Sequence, residues 1–508
     1  MDQQSLLDLQ NGSDIRGVAT QTPEKETTLT EENIEKIGYG FAVWLNDVKK
    51  LKLDVPGQMV KVAVGQDSRL SGNRIKDLLI QSLENAGITV FDVGLATTPA
   101  MFMATKYEDY DADAAIMITA SHLPSEYNGL KFFTKDGGAE HEDITFILEH
   151  ADREHISWPA EQGETIKKHL LRDYAHDLKE KIRSGIKHAA DPEKPLKGKH
   201  IIVDAGNGAG GFFADAMLAK LGANTEGSQF LEPDGNFPNH VPNPDNKAAM
   251  KSIQDAVIRH QADMGIIFDT DVDRSALVDR NGMTLNRNNL IAVISAILIK
   301  ENPGTTIVTN STTTDHLKDF IEKLGGKQDR YLTGYRNVIN RALALNEKGI
   351  STSLAIETSG HAALKENYFL DDGAYLIAKI LIADAELQKE GKDFSSLIAS
   401  LKQPEETDEV RFKILSEDVQ EAGDQILKAF EAYVKKTVDL QIEPQNLEGV
   451  RVNTAGQFGS GWLLLRMSLH EPLLVLNLEN DEAGAIVKIK EKLKDFFYEQ
   501  SLLDASRL

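Results

Sequence analysis

Five apolar residues without alternation, Ala114-Ala115-Ile116-Met117-Ile118, run straight into Thr119-Ala120-Ser121-His122. Apolar side chains on both faces of so short a segment read as a buried parallel strand, the kind covered by helices on either side. A chain carrying such strands belongs to the layered α/β class. A hydroxyl and an imidazole, followed by Leu123 and Pro124, place polar groups at the carboxyl edge of that strand, where open α/β sheets bind ligands. Taken alone, the same pair also reads as a helix cap or a turn serine.

The unit repeats along the chain. Ser13-Asp14-Ile15-Arg16-Gly17 precedes any periodic segment and reads as a loop with a solvated ion pair. Residues 60–64 form a strand, followed by Gly65-Gln66-Asp67-Ser68-Arg69-Leu70-Ser71-Gly72. From Ile75, apolar residues at Leu78, Leu79, Leu83 and Ala86 keep helical spacing, and Gly87 supplies the stop. Residues 88–93 form another strand and Thr97-Thr98-Pro99 opens a helix, so the first layer ends near Ile156. After a linker at 158–165 and a helix around 174–182, His200-Ile201-Ile202-Val203 starts a second series. Its turn, Asp204-Ala205-Gly206-Asn207-Gly208-Ala209-Gly210-Gly211, has neither the lysine-serine ending of a P-loop nor a dinucleotide fingerprint. Tight packing is therefore expected of it rather than a phosphate cradle.

A further buried strand, residues 264–268, leads into Asp269-Thr270-Asp271-Val272-Asp273-Arg274. Three carboxylates at alternate positions of an extended segment project from one side. Each pair at ~4 Å repels by about 4 kcal/mol at an effective dielectric near 20, so convergence calls for a cation. An all-oxygen donor set suits a hard ion such as Mg²⁺; the plain alternative is a solvated acidic turn. Residues 280–288 read as a hinge. Beyond it, strands at 305–308, 331–332 and 354–356 alternate with helices beginning near Asn289, Thr313 and Tyr335. Asp371-Asp372-Gly373 opens a long helix to Gln388 and reads as its cap. A polar, acidic linker at 404–408 precedes a closing module of strand, helix, strands and helix, an α+β pattern. The expected division is 1–157, 158–287 and 288–403 as three α/β domains, then 404–508 as the α+β domain.

Composition narrows the chemistry. None of the 508 residues is cysteine, which excludes disulfides, thiolate metal sites and a cysteine nucleophile. A formal charge of −23 argues against nucleic-acid partners, which demand a basic footprint. No apolar run approaches the ~18 residues of a membrane span, and the first ten residues lack a signal peptide's basic start, so a cytoplasmic address is expected. Any site for an anionic ligand must then gather positive charge locally, inside an acidic whole.

The stretch from Thr119 to Lys131 resembles the phosphoserine loop of the α-D-phosphohexomutases, Thr-Ala-Ser-His-Asn-Pro, two residues, Tyr-Asn-Gly and lysine, with Leu123 the one departure. Ser13 to Gly17 resembles that family's opening Asp-Gly-Ile-Arg-Gly. The aspartate stretch resembles its metal loop, Asp-Gly-Asp-Gly-Asp-Arg, with Thr270 and Val272 in place of the glycines. Glu357-Thr358-Ser359-Gly360-His361 resembles the sugar loop Glu-Met-Ser-Gly-His. Leu332-Thr333-Gly334-Tyr335-Arg336 falls where the family contacts the sugar phosphate, with Tyr335 where many members have histidine. Arg466-Met467-Ser468-Leu469-His470-Glu471-Pro472 resembles the phosphate loop Arg-Pro-Ser-Gly-Thr-Glu-Pro, departing at Met467, Leu469 and His470.

The resemblance implies four domains around a central cleft and a phosphotransferase that interconverts hexose 1-phosphate and hexose 6-phosphate, of mannose or glucose, through a hexose bisphosphate. It makes Ser121 the phosphoryl carrier and a metal ligand, with Mg²⁺ on Asp269, Asp271 and Asp273. Arg16 and Arg274 would assist, and Lys131 and His361 would transfer protons. Substrate would be held by His122, Glu357, Ser359, Thr333, Gly334, Arg466, Ser468 and His470, the last restoring a donor lost with the family's threonine. Glucosamine phosphate is an alternative substrate, and a phosphatase or a sugar-phosphate sensor are the rival functions; oligomeric state is open. Because β-branched residues avoid positive φ, Thr270 and Val272 are both expected at negative φ.

Overall fold

The computed structural model describes residues 6–53, 55, 59–151, 162–469 and 471–508. The chain divides into two compact units, Met1–Ile294 with Ser359–Ser396, and Ser295–Thr358 with Leu397–Leu508. In the first, the strand Ala114–Ile118 is buried at every residue. It runs parallel to Lys61–Gln66, as its apolar pattern predicts, but antiparallel to Tyr127–Thr134, so the sheet is mixed. Ile116 and Ile118 enter a core with Phe41, Trp44, Leu79 and Leu83, supplied by the helices Glu31–Asp47 and Gly72–Asn85. Thr97 caps the helix Thr98–Met103, as expected.

The opening segment departs from expectation. Asp14–Val18 is a strand, not a loop, paired antiparallel with Tyr127–Thr134. Its ion pair, Arg16 to Asp14 at 2.9 Å, is sheltered, with side chains 14% and 5% exposed. Close approach makes this possible: a Cβ on Gly129 would stand 2.3 Å from Ile15 O. Nothing local in Ser13–Gly17 signals a partner more than a hundred residues away.

A second sheet in the same unit orders Thr284–Leu285, Ser275–Asp279, Met264–Phe268 and Ile201–Asp204. Met264–Phe268 is parallel to Ile201–Asp204 and antiparallel to Ser275–Asp279. The expected hinge at 280–288 therefore holds the strand Thr284–Leu285 and the first turn of the helix Arg287–Glu301. The helix Gly373–Leu387 starts at Asp372, whose carboxylate accepts from Tyr375 N at 2.8 Å, a cap as expected. Of the expected linker at 158–165, residues to 161 lie outside those described, and Thr165–Lys167 pairs with Thr89–Leu95.

In the second unit, Thr306–Thr309 lies between Lys327–Arg330 and Thr352–Ile356, both parallel to it. The strand expected at 331–332 sits slightly earlier, because Tyr331 already belongs to the loop. The C-terminal residues form an antiparallel six-stranded sheet with the helices Val419–Val434 and Ala485–Phe497, the expected α+β module. Its strand Glu406–Ile414 begins inside the expected linker. Among the described residues no helix is long and apolar enough to cross a membrane.

Candidate active site

At the carboxyl edge of Ala114–Ile118 the chain turns, and Ser121 adopts φ +50°, a left-handed value rare outside glycine. Its N–H donates to Thr119 Oγ1 at 2.9 Å. The hydroxyl is buried and donates to Asp269 Oδ2 at 3.2 Å, while Arg274 Nη2 donates to Ser121 Oγ at 3.1 Å. Arg274 Nη2 also donates to His122 Nδ1 at 2.6 Å, which leaves the ring proton on Nε2. The Arg274 guanidinium, with burial, depresses His122 to a pKa of about 2, so the ring is neutral. Arg16 Nη1 donates to Ala120 O at 2.9 Å, beside the hydroxyl-bearing residue.

The aspartate loop follows Met264–Phe268, and it converges by turning rather than by alternating along a strand. Oxygens of Asp269, Asp271 and Asp273 come within 4.8 Å of one another, all buried. Val272 stands at φ +65°, contrary to expectation; Thr270 is not among the residues at positive φ. Three long-range bonds hold this turn. Thr270 O accepts from Ala209 N at 2.8 Å, Asp271 O from Thr98 N at 2.9 Å, and Val272 O from Gly373 N at 3.0 Å. The glycine-rich turn thus packs tightly, as predicted, but against this loop: a Cβ on Gly208 would lie 2.6 Å from Thr270 O.

Lys131 Nζ donates to Asp273 Oδ2 at 2.6 Å and to Asp271 Oδ2 at 3.3 Å. Thr98 donates its hydroxyl to Asp271 Oδ2. His361 Nε2 is 3.6 Å from Asp273 Oδ1, and its Nδ1 is 3.1 Å from Ser359 Oγ. Burial and the neighbouring carboxylates push Asp269 well above the usual carboxylate range, whereas Lys131, His361 and Arg274 hold Asp273 well below it despite burial. The loop fits a metal ion on its own terms. Asp271 Oδ1 and Asp273 Oδ1 are buried and accept no hydrogen bond from any described residue, and the donor set is all oxygen.

In the second unit, Gly334 N donates to Glu357 Oε1 at 2.7 Å, with Gly334 at φ +119°. Thr333 donates through Oγ1 to Glu448 Oε2 at 2.7 Å, and Ser311 donates to the same oxygen. Arg466 Nη1 donates to Met467 O at 3.2 Å, while its buried Nε meets no acceptor among the described residues. Ser468 N donates to Leu473 O at 2.9 Å, closing the hairpin that carries it. Leu469 is half exposed and reaches Gly334, within 3.1 Å of where a Cβ would stand. His470 lies outside the described residues.

Three segments match alpha/beta/alpha domains of the phosphoglucomutase/phosphomannomutase type: domain I at residues 8–155, domain II at 172–282 and domain III at 286–404. A phosphomannomutase/phosphoglucomutase of Pseudomonas putida is 30% identical over 479 residues, covering 94% of this chain and 93% of its own. The chain belongs to the phosphoglucomutase/phosphomannomutase family. A phosphoglucomutase of Neisseria gonorrhoeae is 29% identical over 96% of each chain. The crystal structure of a family protein from Burkholderia thailandensis superposes with a TM-score of 0.77 at 25% identity, over 99% of each chain.

Within this family frame, Ser121, His122, Lys131, Asp269, Asp271, Asp273, Arg274, Ser359 and His361 fall together in the first unit, while Thr333, Gly334, Glu357, Arg466 and Ser468 belong to the second. Sequence reasoning missed Thr98, Glu448 and Arg69, whose Nη2 donates to Ser121 O at 2.6 Å. Arg69 had a readable signal, a charged pair between Gly65 and Gly72 at a strand end. Glu448 had none.

Proposed function

We propose that this chain is a phosphohexomutase, an isomerase that moves a phosphoryl group between the 1- and 6-oxygens of a hexose such as mannose or glucose, with Ser121 as the carrier. One observation supports this most directly: Ser121 Oγ lies between the acidic loop and a buried guanidinium, 3.2 Å from Asp269 Oδ2 and 3.1 Å from Arg274 Nη2. Asp269, Asp271 and Asp273, with the serine's phosphoryl oxygen, would hold Mg²⁺, which when bound neutralises charge on the phosphoryl in transit. Arg274 and Arg16 stabilise the same charge through directed N–H groups. His122 offers Nε2–H to a phosphoryl oxygen. Lys131, an ammonium held by Asp271 and Asp273, and His361, 3.6 Å from Asp273 Oδ1, stand as the groups that transfer protons to and from the sugar oxygens.

The charge balance supports the reading. Arg16 is paired with Asp14, so Lys131 and Arg274 face the three aspartates, and a phosphoryl group of about −2 adds to a net negative site that calls for a divalent cation. Glu357 and Ser359 suit sugar hydroxyls; Thr333, Gly334, Arg466, Ser468 and His470 suit the sugar and its non-reacting phosphate. A hexose bisphosphate serves as intermediate and activator, and the four-domain division at 157, 287 and 403 belongs to the same reading.

The test is a product assay on mannose-, glucose- and glucosamine-1-phosphate with Mg²⁺ and a trace of hexose bisphosphate, together with peptide mapping. A 6-phosphate product and phosphate on Ser121 are expected, and Ser121→Ala should lose at least about 10³-fold in turnover, as removed nucleophiles do. Phosphate on another residue, or full turnover by Ser121→Ala, would sink the covalent mechanism. Release of inorganic phosphate alone would make the chain a phosphatase; a saturable thermal shift without product would make it a sensor.

A further inference from the structure

Arg69 follows the strand Lys61–Gln66 and is 2% exposed. Its guanidinium works on the backbone of the Ser121 loop. Nη2 donates to the carbonyls of Ser121 and Leu123, each at 2.6 Å. Nη1 donates to those of Pro124 at 2.7 Å and Tyr127 at 2.9 Å. The buried charge is met by Asp67, whose Oδ2 lies 3.3 Å from Nε. Asp67 is bound into the same loop, accepting from Thr119 Oγ1 at 2.7 Å and from Arg69 N at 2.9 Å. Above the guanidinium lies the Phe237 ring, 5.2 Å to its centroid, and the neighbouring Gly235 has no room for a Cβ, which would stand 2.5 Å from Leu70 N.

Ser121, at φ +50°, holds a conformation that persists only where surrounding contacts over-determine it. We propose that Arg69, anchored by Asp67, is a positioning residue: it pins four carbonyls of this loop so that Ser121 keeps its left-handed backbone and presents Oγ to Asp269 and Arg274. This rests on the reading of Ser121 as phosphoryl carrier. A planar guanidinium with five fixed donors spans four carbonyls; the single ammonium of lysine does not. In the step concerned, a bond forms between Ser121 Oγ and phosphorus, the sugar oxygen–phosphorus bond breaks, and the serine's proton passes to the released sugar oxygen. Misplacing Oγ slows that step, while the proposed sugar and phosphate ligands Glu357 and Arg466 keep their local contacts. The loss falls on kcat, not KM.

Rapid quench and intact mass measure phosphate uptake by Ser121 from glucose 1,6-bisphosphate with Mg²⁺, in wild type, Arg69→Lys and Asp67→Asn. The lysine variant should take up phosphate about a hundredfold more slowly, with KM for glucose 1-phosphate within about threefold, and Asp67→Asn should lose about tenfold. A wild type that takes no phosphate on Ser121 would defeat the carrier reading itself. Wild-type uptake matched within threefold by Arg69→Lys overturns the clamp. Should Arg69→Lys fail to fold, unchanged uptake by Asp67→Asn overturns it, and loss of folding in both variants assigns the pair to stability instead.

Discussion

Val272 carries the clearest local strain in the site. A β-branched residue at φ +65° stores on the order of 1–3 kcal/mol, and the carbonyl bond from Gly373 N to Val272 O keeps it there. The side chain is fully buried, so removing it costs packing as well. Two variants separate the terms. Val272→Ala loses the methyls and keeps the strain; Val272→Gly loses the methyls and the strain together. Glycine ordinarily costs about 0.5–1 kcal/mol relative to alanine. Here Val272→Gly should be at least as stable as Val272→Ala by denaturant midpoint, by about 1 kcal/mol. A glycine variant the less stable of the two would show that the left-handed turn is unstrained.

Among elements, the glycine-rich turn and the start of the helix Gly373–Leu387 both act as walls of the aspartate loop. Gly208→Ala sets a Cβ 2.6 Å from Thr270 O, against backbone that cannot swing aside, and such overpacking typically costs 1–3 kcal/mol. Mg²⁺ affinity by titration calorimetry should fall about tenfold, the equivalent of about 1.4 kcal/mol. Unchanged affinity would mean that the loop does not depend on this wall. At the other wall, burial raises the Asp372 carboxyl to about 6, against hydrogen bonds from Tyr174, Tyr375 N and Asn367 that favour its charged form. A carboxyl with a raised folded pKa is stabilising below its unfolded value near 3.8 and loses that contribution as pH rises through about 6. The difference is worth about 3 kcal/mol. Between pH 4 and pH 6.5 wild type should therefore lose about 2 kcal/mol of stability relative to Asp372→Asn, read from denaturant curves; parallel pH profiles would contradict it.

For the molecule as a whole, a net charge of −23 is reconciled with an anionic substrate by confinement. Buried Lys131 and Arg274 pair with the three aspartates, while part-buried Arg16 pairs with Asp14, so a divalent ion is what turns the local field positive. An ion that binds only the folded state stabilises by mass action, about 2.7 kcal/mol at a hundred times its dissociation constant. Adding Mg²⁺ to chelator-treated protein should raise the unfolding midpoint accordingly. Asp269→Asn should abolish most of that rise, and an undiminished shift in this variant would place the ion elsewhere.

The buried strands Ala114–Ile118 and Met264–Phe268 were legible because continuous apolar runs report burial on both faces, and the loops at their ends were legible because hydroxyl, imidazole and carboxylate groups rarely follow such strands without a use. The cap at Asp372 was legible for the same local reason. What the sequence could not determine were pairings between distant segments. Arg16 looked like part of a solvated loop until Tyr127–Thr134 lay beside it. Val272 looked barred from positive φ until Ala209, Thr98 and Gly373 fixed the carbonyls of the two residues before it and its own. Local periodicity and side-chain chemistry travel with the residues themselves. The sign of one φ, or the use of Arg69 on four carbonyls, is set by contacts across fifty residues or more, and only tertiary structure decides those.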